Sequence, residues 1–199
     1  MTSVAPVPRL IEQFERGLDA PICLTWELTY ACNLSCVHCL SSSGKRDPRE
    51  LSTQQCKDII DELERMQVFY VNIGGGEPTV RPDFWELVDY ATAHHVGVKF
   101  STNGVRITEE VAAKLAASDY VDVQISLDGA TAEVNDAVRG PGSFAMATRA
   151  LENLRAAGFT DAQVIEIVAV VAENFLTNLI NNVAKTDIDF PVSLTAEAA

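Results

Sequence analysis

The chain has 199 residues, 47% of them hydrophobic, and a formal net charge of −13. That length supports one sizeable core, and the acidic balance argues against a nucleic-acid partner, which needs a basic face. No apolar run reaches the roughly twenty residues that cross a bilayer, and the first sixteen lack a basic-then-apolar leader pattern, so a reducing cytoplasm is expected.

Residues 22–29 form an apolar run that reads as a first strand. It leads into a loop carrying Cys32, Cys36 and Cys39. Ser52 and Gln55 then make a capping box ahead of Cys56, Ile59, Ile60 and Leu63, whose spacing is helical and places Cys56 in the core. A second strand at 68–73 ends in Gly74, Gly75, Gly76, Glu77 and Pro78. Asp83 is the expected cap of a helix carrying Phe84, Leu87, Val88 and Ala91, and His94 and His95 sit at its end as structural residues. A third strand at 96–100 ends in Ser101, Thr102, Asn103 and Gly104. Thr108 caps the helix of Val111, Ala112 and Leu115, with Glu109 and Glu110 in its first turn. A fourth strand at 120–125 ends in Ser126, Leu127, Asp128 and Gly129, and Ser143 is the expected cap of a helix carrying Met146, Ala150, Leu151 and Leu154. Strands alternating with helices predict an α/β fold with a parallel sheet, and such sheets place their sites at the carboxyl ends of strands.

The cysteine triplet is the most informative feature. Three thiolates at C-x₃-C-x₂-C spacing hold three corners of a cubane iron–sulfur cluster and leave the fourth iron open for substrate chemistry. Zinc held by the thiolates with His38, His94 or His95 is an alternative, as is a disulfide. Structural zinc sites usually come as two separated ligand pairs, and no secretory context favours a disulfide. Spacing therefore favours the cluster.

With its order of motifs, the chain over residues 20–160 resembles the radical S-adenosylmethionine (SAM) enzymes. Cys32, Cys36 and Cys39 match the family's cluster triplet, and His38 occupies a position that is usually aromatic. Gly75, Gly76 and Glu77 match its Gly-Gly-Glu motif. Ser101, Thr102 and Asn103 match the polar end of the third strand. Ser126 and Asp128 match a region contacting the ribose and methionine parts of SAM, and Arg139 matches an arginine near the SAM carboxylate. The resemblance implies a partial (β/α) TIM-type barrel of about four βα units. It implies a 4Fe–4S cluster and SAM as cofactors, an electron donor such as flavodoxin or ferredoxin, and reductive cleavage of SAM to a 5′-deoxyadenosyl radical. Within the family, residues 21–29, the triplet and 44–52 resemble the mycofactocin-maturase group. That implies a precursor peptide substrate, oxidative decarboxylation of its terminal tyrosine, crosslinking to valine, and a small peptide-chaperone partner.

The chain departs from the pattern at its end. Its last cysteine is Cys56, so it supplies no cysteine-rich auxiliary-cluster domain. In place of a fifth strand, Val164, Ile167, Val168, Val171, Phe175 and Leu179 recur at helical spacing and predict a long amphipathic helix. With residues 187–191 this tail resembles the ending of carboxymuconolactone decarboxylase or alkylhydroperoxidase-like proteins, without their C-x-x-C site. The expected division is an extension at 1–19, a barrel core at 20–158, and a fused helix and tail at 159–199. A non-catalytic remnant and a zinc-binding interaction module stand as the alternative functions.

Overall fold

The computed structural model describes residues 21–164. Four strands, β1 (Cys23–Thr29), β2 (Tyr70–Gly75), β3 (Gly97–Thr102) and β4 (Val121–Ile125), form one sheet in the order β1-β2-β3-β4. All three pairings are parallel. Each strand lies beside its sequence neighbour, with no reversal of order, as in a βα barrel wall rather than a doubly wound sheet. The helices are α1 (Thr53–Arg65), α2 (Phe84–Ala93), α3 (Glu109–Ala116), α4 (Ala132–Arg139) and α5 (Ser143–Ala156).

Alternation along the strands explains the layering. Val71, Ile73, Val98, Phe100, Val123 and Ile125 are buried and pack with Ile60, Leu63, Phe84, Leu87, Leu115 and Leu154 from the helices. Phe84 and Phe100 meet edge to face, with ring centroids 5.1 Å apart. A parallel sheet covered on both faces reads as continuous apolar runs, whereas here the intervening positions are polar. Thr25, Asn72, Lys99 and Asp122 lie side by side in register. That polar row suits the inner wall of a barrel.

The predicted caps hold at two helices and fail at two. Ser52 and Gln55 form the capping box of α1, and the Thr108 hydroxyl accepts from Val111 N at α3. Cys56 is fully buried, as its place on the apolar stripe required. Asp83 sits at the N-cap of α2 but makes no capping hydrogen bond. Its carboxylate is instead held by Arg81 at 2.6 Å and by the Thr53 hydroxyl at 2.7 Å, a long-range demand that sequence spacing does not reveal. Ser143 is already inside α5, whose N-cap is Gly142 in the left-handed region at φ 82°. Asp136 serves that helix end from outside, accepting from Gly142 N and Phe144 N at 2.7 and 2.8 Å. Helix α4 was not anticipated. Thr131 caps it through Val134 N, and its single turn pair is too short to show a clear apolar period.

His94 ends α2, stacks on Tyr90 at 4.2 Å and places Nδ1 2.8 Å from Glu64, a tie between α1 and α2. A further helical turn begins at 161–164, with Val164 buried. The rest of the expected amphipathic helix lies outside the described residues.

Candidate functional site

The three cysteines lie on the loop that leaves the carboxyl end of β1. Its base is closed by Gly44 N donating to Tyr30 O at 2.8 Å and Cys32 N donating to Gly44 O at 3.1 Å. Glu50, nearly buried, accepts from Tyr30 N at 2.9 Å and the Thr29 hydroxyl at 2.8 Å, and so fixes where the loop starts. A register shift between Glu27 and Thr29 turns the strand end toward the loop.

Two other strand ends and helix α4 hold the loop from the side. Glu77 N donates to Ala31 O at 2.9 Å, from the end of β2. Asn103 Nδ2, from the end of β3, donates to Asn33 Oδ1 at 2.8 Å. Val37 N donates to Val138 O at 3.0 Å, and Cys36 Sγ lies 3.8 Å from Arg139 O, both on α4 after β4. The loop is thus bound to every βα unit of the sheet.

The glycines of the second strand end act on this loop. A Cβ at Gly75 would stand 2.4 Å from Thr29 O, and one at Gly76 would stand 2.2 Å from Ala31 O. Both are impossible contacts, so only glycine lets β2 approach the cysteine loop this closely. Gly74 faces open space.

Glu77 is 2% exposed, and its carboxylate is fully engaged within the protein. Oε1 accepts from the Thr102 hydroxyl at 2.7 Å and from Thr79 N at 3.1 Å, while Oε2 accepts from Asn103 N at 2.7 Å. It therefore joins the ends of β2 and β3. Ser101 donates to Gln124 at 2.8 Å, and Ser126 N donates to Thr102 O at 2.8 Å, so β3 and β4 are joined at the same level. Asp128 and Arg139 are brought together: Arg139 Nε lies 2.5 Å from Asp128 Oδ2, with side chains 12% and 7% exposed. The pair is close but not aligned as a hydrogen bond, which leaves both atoms without a satisfied partner of that kind. His38 Nε2 lies 3.3 Å from the same carboxylate oxygen.

The donor set fits an iron–sulfur cluster. All five cysteines are free thiols. Leu34 N donates to Cys32 Sγ at 3.4 Å and Ser43 N to Cys39 Sγ at 3.3 Å, the backbone support that a ligating sulfur takes. Among the described residues no three His, Cys, Asp or Glu side chains converge as one ion requires. Burial pushes the Cys32 and Cys36 thiols up, with Arg139 opposing the rise at Cys36.

Comparison with known proteins agrees with this geometry. The model of the radical SAM superfamily matches residues 26–175. The chain belongs to the radical SAM superfamily. A 4Fe–4S cluster and SAM are that superfamily's cofactors. Mycofactocin maturase MftC of Mycolicibacterium smegmatis is 90% identical over 168 residues, which cover 84% of this chain and 43% of that protein. An AdoMet-dependent heme synthase of Methanosarcina barkeri is 41% identical over 143 residues, covering 71% of this chain and 41% of that protein. The chain thus spans less than half the length of these relatives. Among solved structures, Streptococcus suis SuiB bound to S-adenosylmethionine superposes with a TM-score of 0.64 at 21% identity, over 83% of this chain and 41% of that one. At that identity the likeness shows the fold, a partial TIM-type barrel.

Sequence reasoning missed Asn33, Glu50 and Asn135. Asn135 is fully buried and joins Asp128 N to the Ser143 hydroxyl, both at 2.8 Å. No motif marks these residues, because each acts through a partner far along the chain or in an unanticipated helix.

Proposed function

We propose that this chain is the SAM-cleaving core of a peptide maturase of the mycofactocin type. The observation that carries the reading is the cysteine loop, tied to every βα unit of the sheet, in a superfamily member 90% identical to a mycofactocin maturase over 168 residues. In this reading Cys32, Cys36 and Cys39 hold the 4Fe–4S cluster. Gly75, Gly76, Glu77, Ser101, Asn103, Ser126, Asp128 and Arg139 form the wall beside SAM. When bound, the cluster and SAM together supply reductive cleavage of the sulfonium and the 5′-deoxyadenosyl radical.

The chain's own residues bind and orient. The Arg139 guanidinium is suited to the SAM carboxylate, and Asp128 holds it against the loop. Glu77, saturated by Thr79, Thr102 and Asn103, keeps two strand ends at a fixed separation. The polar inner face of the sheet is the wall that a substrate would meet, and enclosing it excludes water from a reactive intermediate. The substrate of this reading is a precursor peptide whose terminal tyrosine loses its carboxyl group and is joined to the neighbouring valine. A small peptide chaperone and a flavodoxin- or ferredoxin-type donor are its partners. Among the described residues no helix is long and apolar enough to cross a membrane. Oxygen-labile chemistry on free thiols suits a reducing cytoplasm.

The test is anaerobic reconstitution with iron and sulfide, followed by SAM and dithionite, assaying 5′-deoxyadenosine. Product that disappears in Cys36→Ala supports the reading. A cluster without SAM cleavage marks a non-catalytic remnant, and zinc in place of the cluster marks an interaction module.

A further inference from the structure

Lys99 is the one lysine or arginine in the four described strands. It sits on β3 between Val98 and Phe100, which are buried in the helix-covered core, so alternation turns its side chain to the opposite, polar face. There it is half-buried and in register with Asn72 on one side and Asp122 on the other. Ser101 lies two residues further along the same face, hydrogen-bonded to Gln124 at the level of the candidate SAM wall. With a rise of about 3.3 Å per residue, Lys99 stands one layer, roughly 7 Å, below that wall. Lys57 and Lys114 are each held by a carboxylate at 2.6 Å, whereas among the described residues none closes on the Lys99 amine.

We propose that Lys99 is the substrate's carboxylate anchor, taking the terminal α-carboxylate of a peptide whose last residue is presented to the SAM layer. The proposal rests on the peptide-maturation reading and names the group by which that substrate is held. Charge complementarity selects the occupant. Among the described strands the rest of the inner face offers Glu27, Asp122 and neutral side chains, which repel or do not bind an anion, so one cation sets one register. A lysine suits this task because its ammonium is a point charge on a flexible stem that can follow a mobile chain end. A partly desolvated charge-assisted contact is worth about tenfold or more in affinity.

The experiment measures binding of a fluorescent synthetic peptide ending in Val-Tyr to the cluster-loaded chain with SAM, as the free acid and as the C-terminal amide. The acid is expected to bind about tenfold more tightly than the amide. Lys99→Met should bring the acid to the amide's affinity, and Lys99→Arg should restore most of the preference. Equal binding of acid and amide, no binding of either, or a preference that survives Lys99→Met would overturn the proposal. Peptide-free 5′-deoxyadenosine formation by the unsubstituted chain is measured in parallel. Its absence from the unsubstituted chain would sink the enzymatic reading without affecting the binding result.

Discussion

Single residues at the site act mainly by setting distances. Gly76 is the sharpest case, because an added methyl would lie 2.2 Å from Ala31 O. Gly76→Ala should cost about 2 kcal/mol through forced backbone movement and should abolish cluster assembly, while Gly74→Ala, which meets nothing within 4 Å, should leave the iron content unchanged. Iron and sulfide analysis after reconstitution separates the two. Glu77 is a second hub. Glu77→Ala removes the acceptor of Thr79 N, Thr102 Oγ1 and Asn103 N inside the protein and should destabilise it by about 3 kcal/mol in urea unfolding. Both residues stood out in the sequence as part of a motif facing a ligand. The structure adds that their contacts are with the protein itself, since a strand end and the neighbouring loop compete for the same space.

Secondary elements are joined by a buried arginine that no motif marked. Arg81 donates to Leu28 O of β1 at 3.1 Å, to Leu51 O ahead of α1 at 2.8 Å, and to both oxygens of Asp83 before α2. Hydrogen bonds from Arg81 and Thr53 hold the Asp83 carboxyl down at about 2, below its ordinary 3.8. A depressed carboxyl stabilises the fold fully above its unfolded value and loses that contribution as the pH falls through the folded one. Asp83 should therefore contribute about 2 kcal/mol at neutral pH, disappearing between roughly pH 4 and pH 2. Chemical denaturation across that range should show the loss, and Asp83→Asn should be less stable at pH 7 with a flatter acid limb. The capping box of α1 belongs to the same scale, and Ser52→Ala should cost about 1 kcal/mol in the same assay.

Charge and topology govern the molecule as a whole. A net charge of −13 on 199 residues is self-repelling, and salt screens repulsion between exposed groups. Raising sodium chloride from about 0.05 to about 0.5 M should increase the melting temperature by a few degrees, measured by circular dichroism. By itself the sequence determined the alternation of strands and helices, the apolar faces of α1, α2, α3 and α5, the burial of Cys56 and the cysteine triplet, because these depend on local period and spacing. It also carried the family, because the motifs recur in order at the strand ends. Tertiary structure alone decided that Asp128 meets Arg139, that Asp83 serves Arg81 rather than its own helix, that Asp136 caps α5, and that Lys99 lies between Asn72 and Asp122 on the inner wall. Each of those is a juxtaposition set by how parallel strands align and how loops fold back over their ends. A one-residue change of register would reverse which face a strand side chain points to, and no local pattern encodes which distant partner will be waiting there.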